Sequence, residues 1–131
     1  MNEKGKEIFI RKKLIKSELI FGQIKNFILL GYFDTSVNRI YYSCFYCVQA
    51  LLAKLDIYPK SHKGVLIQFN LHYVKKGIIS KELGLFFQDI FDQRLLSDYD
   101  ETYEASPKTV KELLANALIF FEQSKVLLQE K

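Results

Sequence analysis

Only six glycines and two prolines interrupt this chain of 131 residues, and most of them fall at the ends of apolar-periodic segments rather than inside them. Glycine and proline are the residues that break helices, so their placement leaves long uninterrupted stretches in which apolar residues recur at helical spacing. No strand pattern of weight competes. The spacing predicts helices over about Lys6 to Leu30, Asp34 to Leu55, Ser61 to Lys75, Ser80 to the Asp98 region, and from Pro107 onward. Gly31 and Gly77 read as C-terminal stops. Asp34, Ser61 and Ser80 read as N-caps, and Ser106-Pro107 as a helix start. Gly22, inside the first helix, reads as a point of close packing or a bend. Short connections between long amphipathic helices favour antiparallel neighbours. The expected fold is an all-α, up-and-down bundle of four to five helices in a single domain spanning 1–131.

Composition adds limits. Half of the residues are hydrophobic (49%), with eleven Phe, eight Tyr and no Trp, which gives a ring-rich core. The formal charge of +4 is mildly basic and permits contact with nucleic acid without requiring it. Basic residues crowd the start (Lys4, Lys6, Arg11, Lys12, Lys13, Lys16), and acidic ones crowd the region from Asp89 to Glu104. Asp98 to Ala105 reads as an exposed acidic loop. No secretory signal and no apolar run long enough for a membrane span is visible, and two cysteines make no disulfide framework. The expected location is the cytoplasm. Cys44 and Cys47 form a C-x2-C within a helix and read as small core residues. No cofactor motif and no metal-ligand set is found.

Arg94 breaks the pattern of its helix. Leu83, Phe86, Phe87 and Ile90 form an apolar stripe, and Arg94 lies on it, four residues after Ile90. An unpaired charge on a core-facing stripe costs several kcal/mol, roughly, so it demands a partner or a wet cleft. Asp98 is one turn on, and Tyr99 follows. The second helix has a core stripe of Val37, Ile40, Tyr41, Cys44, Val48, Leu51, Leu52 and Leu55. Its second face carries Arg39, Tyr42, Tyr46 and Gln49, as expected of a central helix or one at a subunit contact. The third helix turns Val65, Phe69 and Tyr73 inward. His62, with Lys63 and Gly64, stands at its start, where free amides and a lysine make an anion site conceivable. His72 reads as a surface residue. The fifth helix has a stripe of Val110, Leu113, Leu114, Ala117, Phe121, Ser124 and Leu128.

Three segments, Asn38-Arg39-Ile40-Tyr41-Tyr42-Ser43-Cys44-Phe45-Tyr46, Ser61-His62-Lys63-Gly64-Val65 and Arg94-Leu95-Leu96-Ser97-Asp98-Tyr99, stand in this order on helices. The chain resembles the HEPN family in its prokaryotic branch, over roughly Leu14 to Leu128. The resemblance implies a helical bundle, a homodimer, and the toxin half of a toxin–antitoxin pair whose partner is a nucleotidyltransferase-type antitoxin. Active members are metal-independent ribonucleases with an Arg followed after four to six residues by His. Arg94 takes the arginine place, but Tyr99 stands where that histidine is expected, and Tyr46 stands at the corresponding place after Arg39. The resemblance therefore implies binding of RNA or a nucleotide through Arg39, Tyr42, Tyr46, His62, Lys63, Arg94 and Asp98. Arg94 and Tyr99 are the catalytic candidates if cleavage occurs. Two alternatives stand beside this: a protein-binding helical module in which Arg94 and Asp98 form a structural pair, and an active ribonuclease using another base, such as His62.

Overall fold

The computed structural model describes residues 1–129. Its elements are α1 (Glu3–Leu29), α2 (Phe33–Lys54), α3 (His62–Phe69), a π-helical turn (Asn70–Val74) continuous with α3, α4 (Lys81–Tyr99) and α5 (Pro107–Gln129). The described residues contain no strand, so the fold is the expected all-α bundle. None of these helices is long and apolar enough to cross a membrane.

The helix ends follow their local chemistry. Asn2, Ser61 and Ser80 cap α1, α3 and α4, each side chain accepting an N–H from the first turn. Gly31 (φ 78°) and Gly77 (φ 74°) occupy the left-handed region that glycine enters without a Cβ penalty. Asp34 departs from the expected cap. The chain re-enters helical geometry at Phe33, with Tyr32 at the cap position and no side-chain cap bond. Asp34 thus lies in the first turn, where its carboxylate accepts the Ala105 N–H at 3.1 Å and ties the loop before α5 to the start of α2. Gly22 also differs from expectation, since a Cβ there meets nothing within 4 Å. Close packing instead occurs at Gly84, where a Cβ would lie 2.8 Å from the Val74 side chain.

α2 is the central helix. It packs against α1, α4 and α5 and also meets α3. Val37, Ile40, Tyr41, Cys44, Val48, Leu51 and Leu52 are buried as their spacing predicts, while Leu55 at the C-cap is exposed. Phe69, Phe87 and Phe120 meet in the same core from three other helices, Phe87 stacked on Phe120 and Phe69 edge-on to Phe87. Val65, Phe69 and Tyr73 face inward, and the Tyr73 hydroxyl donates to the Leu51 carbonyl, which satisfies a phenol at full burial. On α5 the pattern holds for Val110, Leu113, Ala117, Phe121 and Ser124, and Phe120 joins them. Leu114 and Leu128 are only partly buried.

Candidate functional site

α2 carries its polar-aromatic face toward α1, α3 and α4, and the side chains along it make a continuous row. Spacing of three and four residues puts Arg39, Tyr42 and Tyr46 on one side of the helix. The Arg39 guanidinium lies 5.9 Å from the centre of the Tyr42 ring, and that of Arg94, arriving from α4, lies 5.7 Å from the same centre. Two cations thus share one aromatic ring. Arg94 also lies 5.2 Å from the Tyr41 ring. Cation–π attraction strengthens as water is excluded, from about 0.5–1 kcal/mol at the surface to about 2 kcal/mol when desolvated. With a side chain only 17% exposed, Arg94 sits toward the desolvated end of that range.

His62 closes the cluster from α3. The Ser61 cap makes His62 the first helical residue, and Gly64 lets that cap form, because a Cβ there would lie 2.9 Å from the Ser61 hydroxyl. The His62 ring stacks on Phe45 at 4.3 Å and meets Tyr42 edge-on at 5.7 Å. Its Nδ1 shares a 2.8 Å hydrogen bond with the Tyr41 hydroxyl. Burial, followed by the charge of Arg94, holds the imidazole below its ordinary pKa. Burial also pushes the Tyr41 phenol well up, against the opposing pull of Arg94. At neutral pH the cluster therefore holds a neutral imidazole, a protonated phenol and a guanidinium. A guanidinium binds phosphate, and a neutral imidazole accepts a proton.

Toward α4's end the arrangement is looser. Arg94 Nε and Asp98 Oδ2 are 3.4 Å apart, an ion pair by distance. They make no hydrogen bond, and the buried Nε has no hydrogen-bond partner among the described residues. Tyr99 is 81% exposed. It lines an apolar groove of about 480 Å³ with Leu95, Leu96 and their neighbours rather than joining Tyr41, Tyr42 and His62. Lys63 is exposed beside His62.

The row continues toward α1. Lys13 and Lys16 place their ammonium groups 5.1 and 5.5 Å from the centre of the Tyr46 ring. A cleft of about 180 Å³ lies between Lys16, Arg39 and Tyr46. Burial and the neighbouring charge of Lys16 lower the Lys13 pKa. The sequence singled out Arg39, Tyr42, Tyr46, His62 and Arg94, and the structure brings them together. It named Tyr41 and Phe45 without a role in the site, although they hold His62, and it did not place Lys13 and Lys16 against Tyr46. The only local signal for Tyr41 was a phenol on an otherwise apolar stripe. Cys44 and Cys47 are buried free thiols whose pKa values burial raises, that of Cys47 to about 11, as befits core residues. His72 is half-buried in the π-helical turn and pairs with Gln68 at 3.1 Å. No three His, Cys, Asp or Glu among the described residues are grouped to hold a metal.

A family model described as the HEPN domain matches residues 14–127, which include every residue of this row except Lys13. The chain belongs to the HEPN family. Relatives of this HEPN protein include one named "Putative toxin" from Methanocaldococcus jannaschii, 34% identical over 93% of this chain and 83% of the relative. A UPF0332 protein of Thermotoga maritima is 38% identical over 73% of each chain. A second M. jannaschii protein, also named as a toxin, is 30% identical over 72% of this chain and 70% of its own.

Proposed function

We propose that this HEPN protein is the toxin of a toxin–antitoxin pair and that it binds RNA along the row Arg94, Tyr42, Arg39 and Tyr46. The observation that carries the reading is the pair of guanidiniums facing one half-buried tyrosine ring. Guanidiniums grip phosphate, and an exposed aromatic edge offers a base a place to stack, so the row matches a single strand better than a duplex. The toxin role is supported by the names of two relatives. An antitoxin, of nucleotidyltransferase type in the family's usual pairing, is the matching partner. The apolar groove at Leu95, Leu96 and Tyr99 favours a second copy of the chain packing there, giving a homodimer. A low-salt binding titration with single-stranded RNA tests the first claim. Retention of full affinity after Arg94→Ala, in protein that melts normally, would overturn it. Light scattering behind a sizing column tests the second, and a monomer at micromolar concentration would refute it.

A second reading has its own observation. His62 sits beside Arg94, neutral and held by Tyr41, so the base missing from the Arg94 to Tyr99 segment is supplied from α3. In metal-independent transesterification, His62 would take the proton of the 2′-hydroxyl as the 2′-oxygen bonds to phosphorus and the bond to the 5′-oxygen breaks, the departing 5′-oxygen taking a proton from water, while Arg94 offsets charge on the phosphorus oxygens. Induced expression without the antitoxin should then arrest growth, and His62→Ala should relieve the arrest. Persisting arrest in the His62→Ala strain would exclude His62 as the base.

A further inference from the structure

Tyr41 is the one fully buried tyrosine of the site, and its hydroxyl has a single hydrogen-bond partner among the described residues. That partner is His62 Nδ1, at 2.8 Å. The Phe45 and Phe87 rings stack on the phenol and Phe91 meets it edge-on, so no water reaches it. Arg94 lies over the face of the same ring, 5.2 Å from its centre, and makes no hydrogen bond to the hydroxyl.

A hydroxyl has one hydrogen to give, and a neutral imidazole has one N–H and one bare nitrogen. Two arrangements fit the contact. In one, the phenol donates to Nδ1 and the imidazole proton sits on Nε2. In the other, Nδ1–H donates to the phenol oxygen, and the phenol hydrogen is left in the core with no acceptor. A buried donor without an acceptor is costly, enough to lower the population of that arrangement roughly tenfold. Giving the phenol proton up is no escape, because burial pushes the Tyr41 pKa well up. The other ring nitrogen does not weigh in. Nε2 has no hydrogen-bond partner among the described residues and is not one of their buried polar atoms, so it opens to solvent. Water accepts from an N–H there as readily as it donates to a lone pair. The choice of tautomer falls to Tyr41.

We propose that Tyr41 is a positioning residue that locks His62 as the Nε2–H tautomer, so that the imidazole presents a hydrogen-bond donor, not a base, at the open side of the cluster. Tyr41 thereby decides between the two readings above. A fixed N–H in the neighbourhood of the Arg94 guanidinium suits an anionic oxygen, and this part rests on the RNA-binding reading. Proton abstraction by His62 needs a bare Nε2, which the lock withholds. Of the other charged or titratable groups around the ring, Tyr42 meets its edge, Arg94 only disfavours a further positive charge, and Lys63 is exposed.

Two measurements on the whole protein test this. The first is the long-range proton–nitrogen NMR spectrum of the histidine side chains, recorded above the ordinary imidazole pKa, with His72 the only other imidazole. His62 Nε2 should resonate as a protonated ring nitrogen and Nδ1 as a bare one. Tyr41→Phe keeps the ring and removes the hydroxyl, so the tautomers should mix and the two nitrogen shifts should draw together. The wild-type spectrum decides alone if that variant melts early. A protonated Nδ1 in the wild type, or shifts that Tyr41→Phe leaves unmoved in folded protein, overturns the lock. In the second measurement a single-stranded RNA oligonucleotide is added, and it should move the Nε2–H resonance. RNA binding that leaves this resonance in place overturns the donor role and leaves the RNA-binding reading standing. A locked Nε2–H tautomer in protein that binds no RNA supports the lock and overturns that reading. If the oligonucleotide is cleaved, and His62→Ala abolishes cleavage, Tyr41→Phe should raise the rate about tenfold by freeing Nε2. A lower rate in Tyr41→Phe protein that melts normally overturns the lock.

Discussion

Arg94 has two sets of neighbours, and they differ in how firmly the fold holds them. On the inner side are Tyr41, Tyr42 and His62, contributed by α2 and α3 and locked by stacking with Phe45 and by the Tyr41–His62 hydrogen bond. On the outer side are Asp98 and Tyr99, from Arg94's own helix, where the acid is one-third exposed and the tyrosine almost wholly so. The inner set is fixed by tertiary packing before any ligand arrives. The outer set is free to exchange water, ligand or a second chain. Preorganised groups cost nothing to order at the moment of binding, so the inner set is the better place to look for phosphate recognition and proton transfer.

Five substitutions and one change of condition put that contrast under strain. Tyr41→Ala should be the most damaging, with a stability loss of about 3–5 kcal/mol from an aromatic removed out of a packed core. Chemical denaturation measures it, and a loss under about 1 kcal/mol would mean that the inner set is not locked. Next, Arg94→Ala should weaken RNA binding by about tenfold to a hundredfold, the equivalent of one charge-assisted contact of about 1.5–3 kcal/mol.

The third lever is pH. The folded-state pKa of His62 is below its unfolded value, so the unfolded chain binds more protons in the window between them. Stability contributed by His62 is therefore complete above the ordinary imidazole value and is lost as pH falls through it toward the folded value. Denaturant midpoints measured downward from pH 7 should fall more steeply in the wild type than in His62→Gln. Equal slopes would place the ring in water. The smallest effects belong to the outer set. Tyr99→Ala and Asp98→Asn should each change stability by less than about 1 kcal/mol, because exposed side chains and partly solvated ion pairs contribute little. Asp98→Asn should leave RNA affinity unchanged or slightly raised, since it removes a negative charge beside Arg94. A large loss of affinity in the same titration would move the site outward.

The two sets also differed in how visible they were in the sequence. Arg94, Asp98 and Tyr99 lie within six residues, so a helical reading places them together at once. Ser61, Ser80, Gly31 and Gly77 were equally legible, because capping and left-handed turns are local chemistry. The hydrogen bond from Tyr41 to His62 spans 21 residues and depends on where α3 lands against α2, which no local pattern states. Tyr41 sits in step with Val37, Cys44 and Val48, so periodicity alone files it as core, which by burial it is. Asp34 misled for the converse reason. An aspartate just before an apolar run resembles a cap, yet Gly31 allows the helix to restart earlier, and the carboxylate is drawn to Ala105 from the other end of the chain.

The π-helical turn at Asn70–Val74 acts as a phase setting between His62 and α4. It carries one surplus residue relative to a regular α-helix, and Val74, at its end, is clamped against Gly84. Because the wider winding absorbs that residue, four residues of ordinary α-helix would span nearly the same rotation as these five. Loss of one residue from 70–74 should therefore leave His62 facing Phe45 and Arg94 in almost the same phase, whereas a second loss would rotate the Phe69 side by about 100° and carry the imidazole away from Phe45.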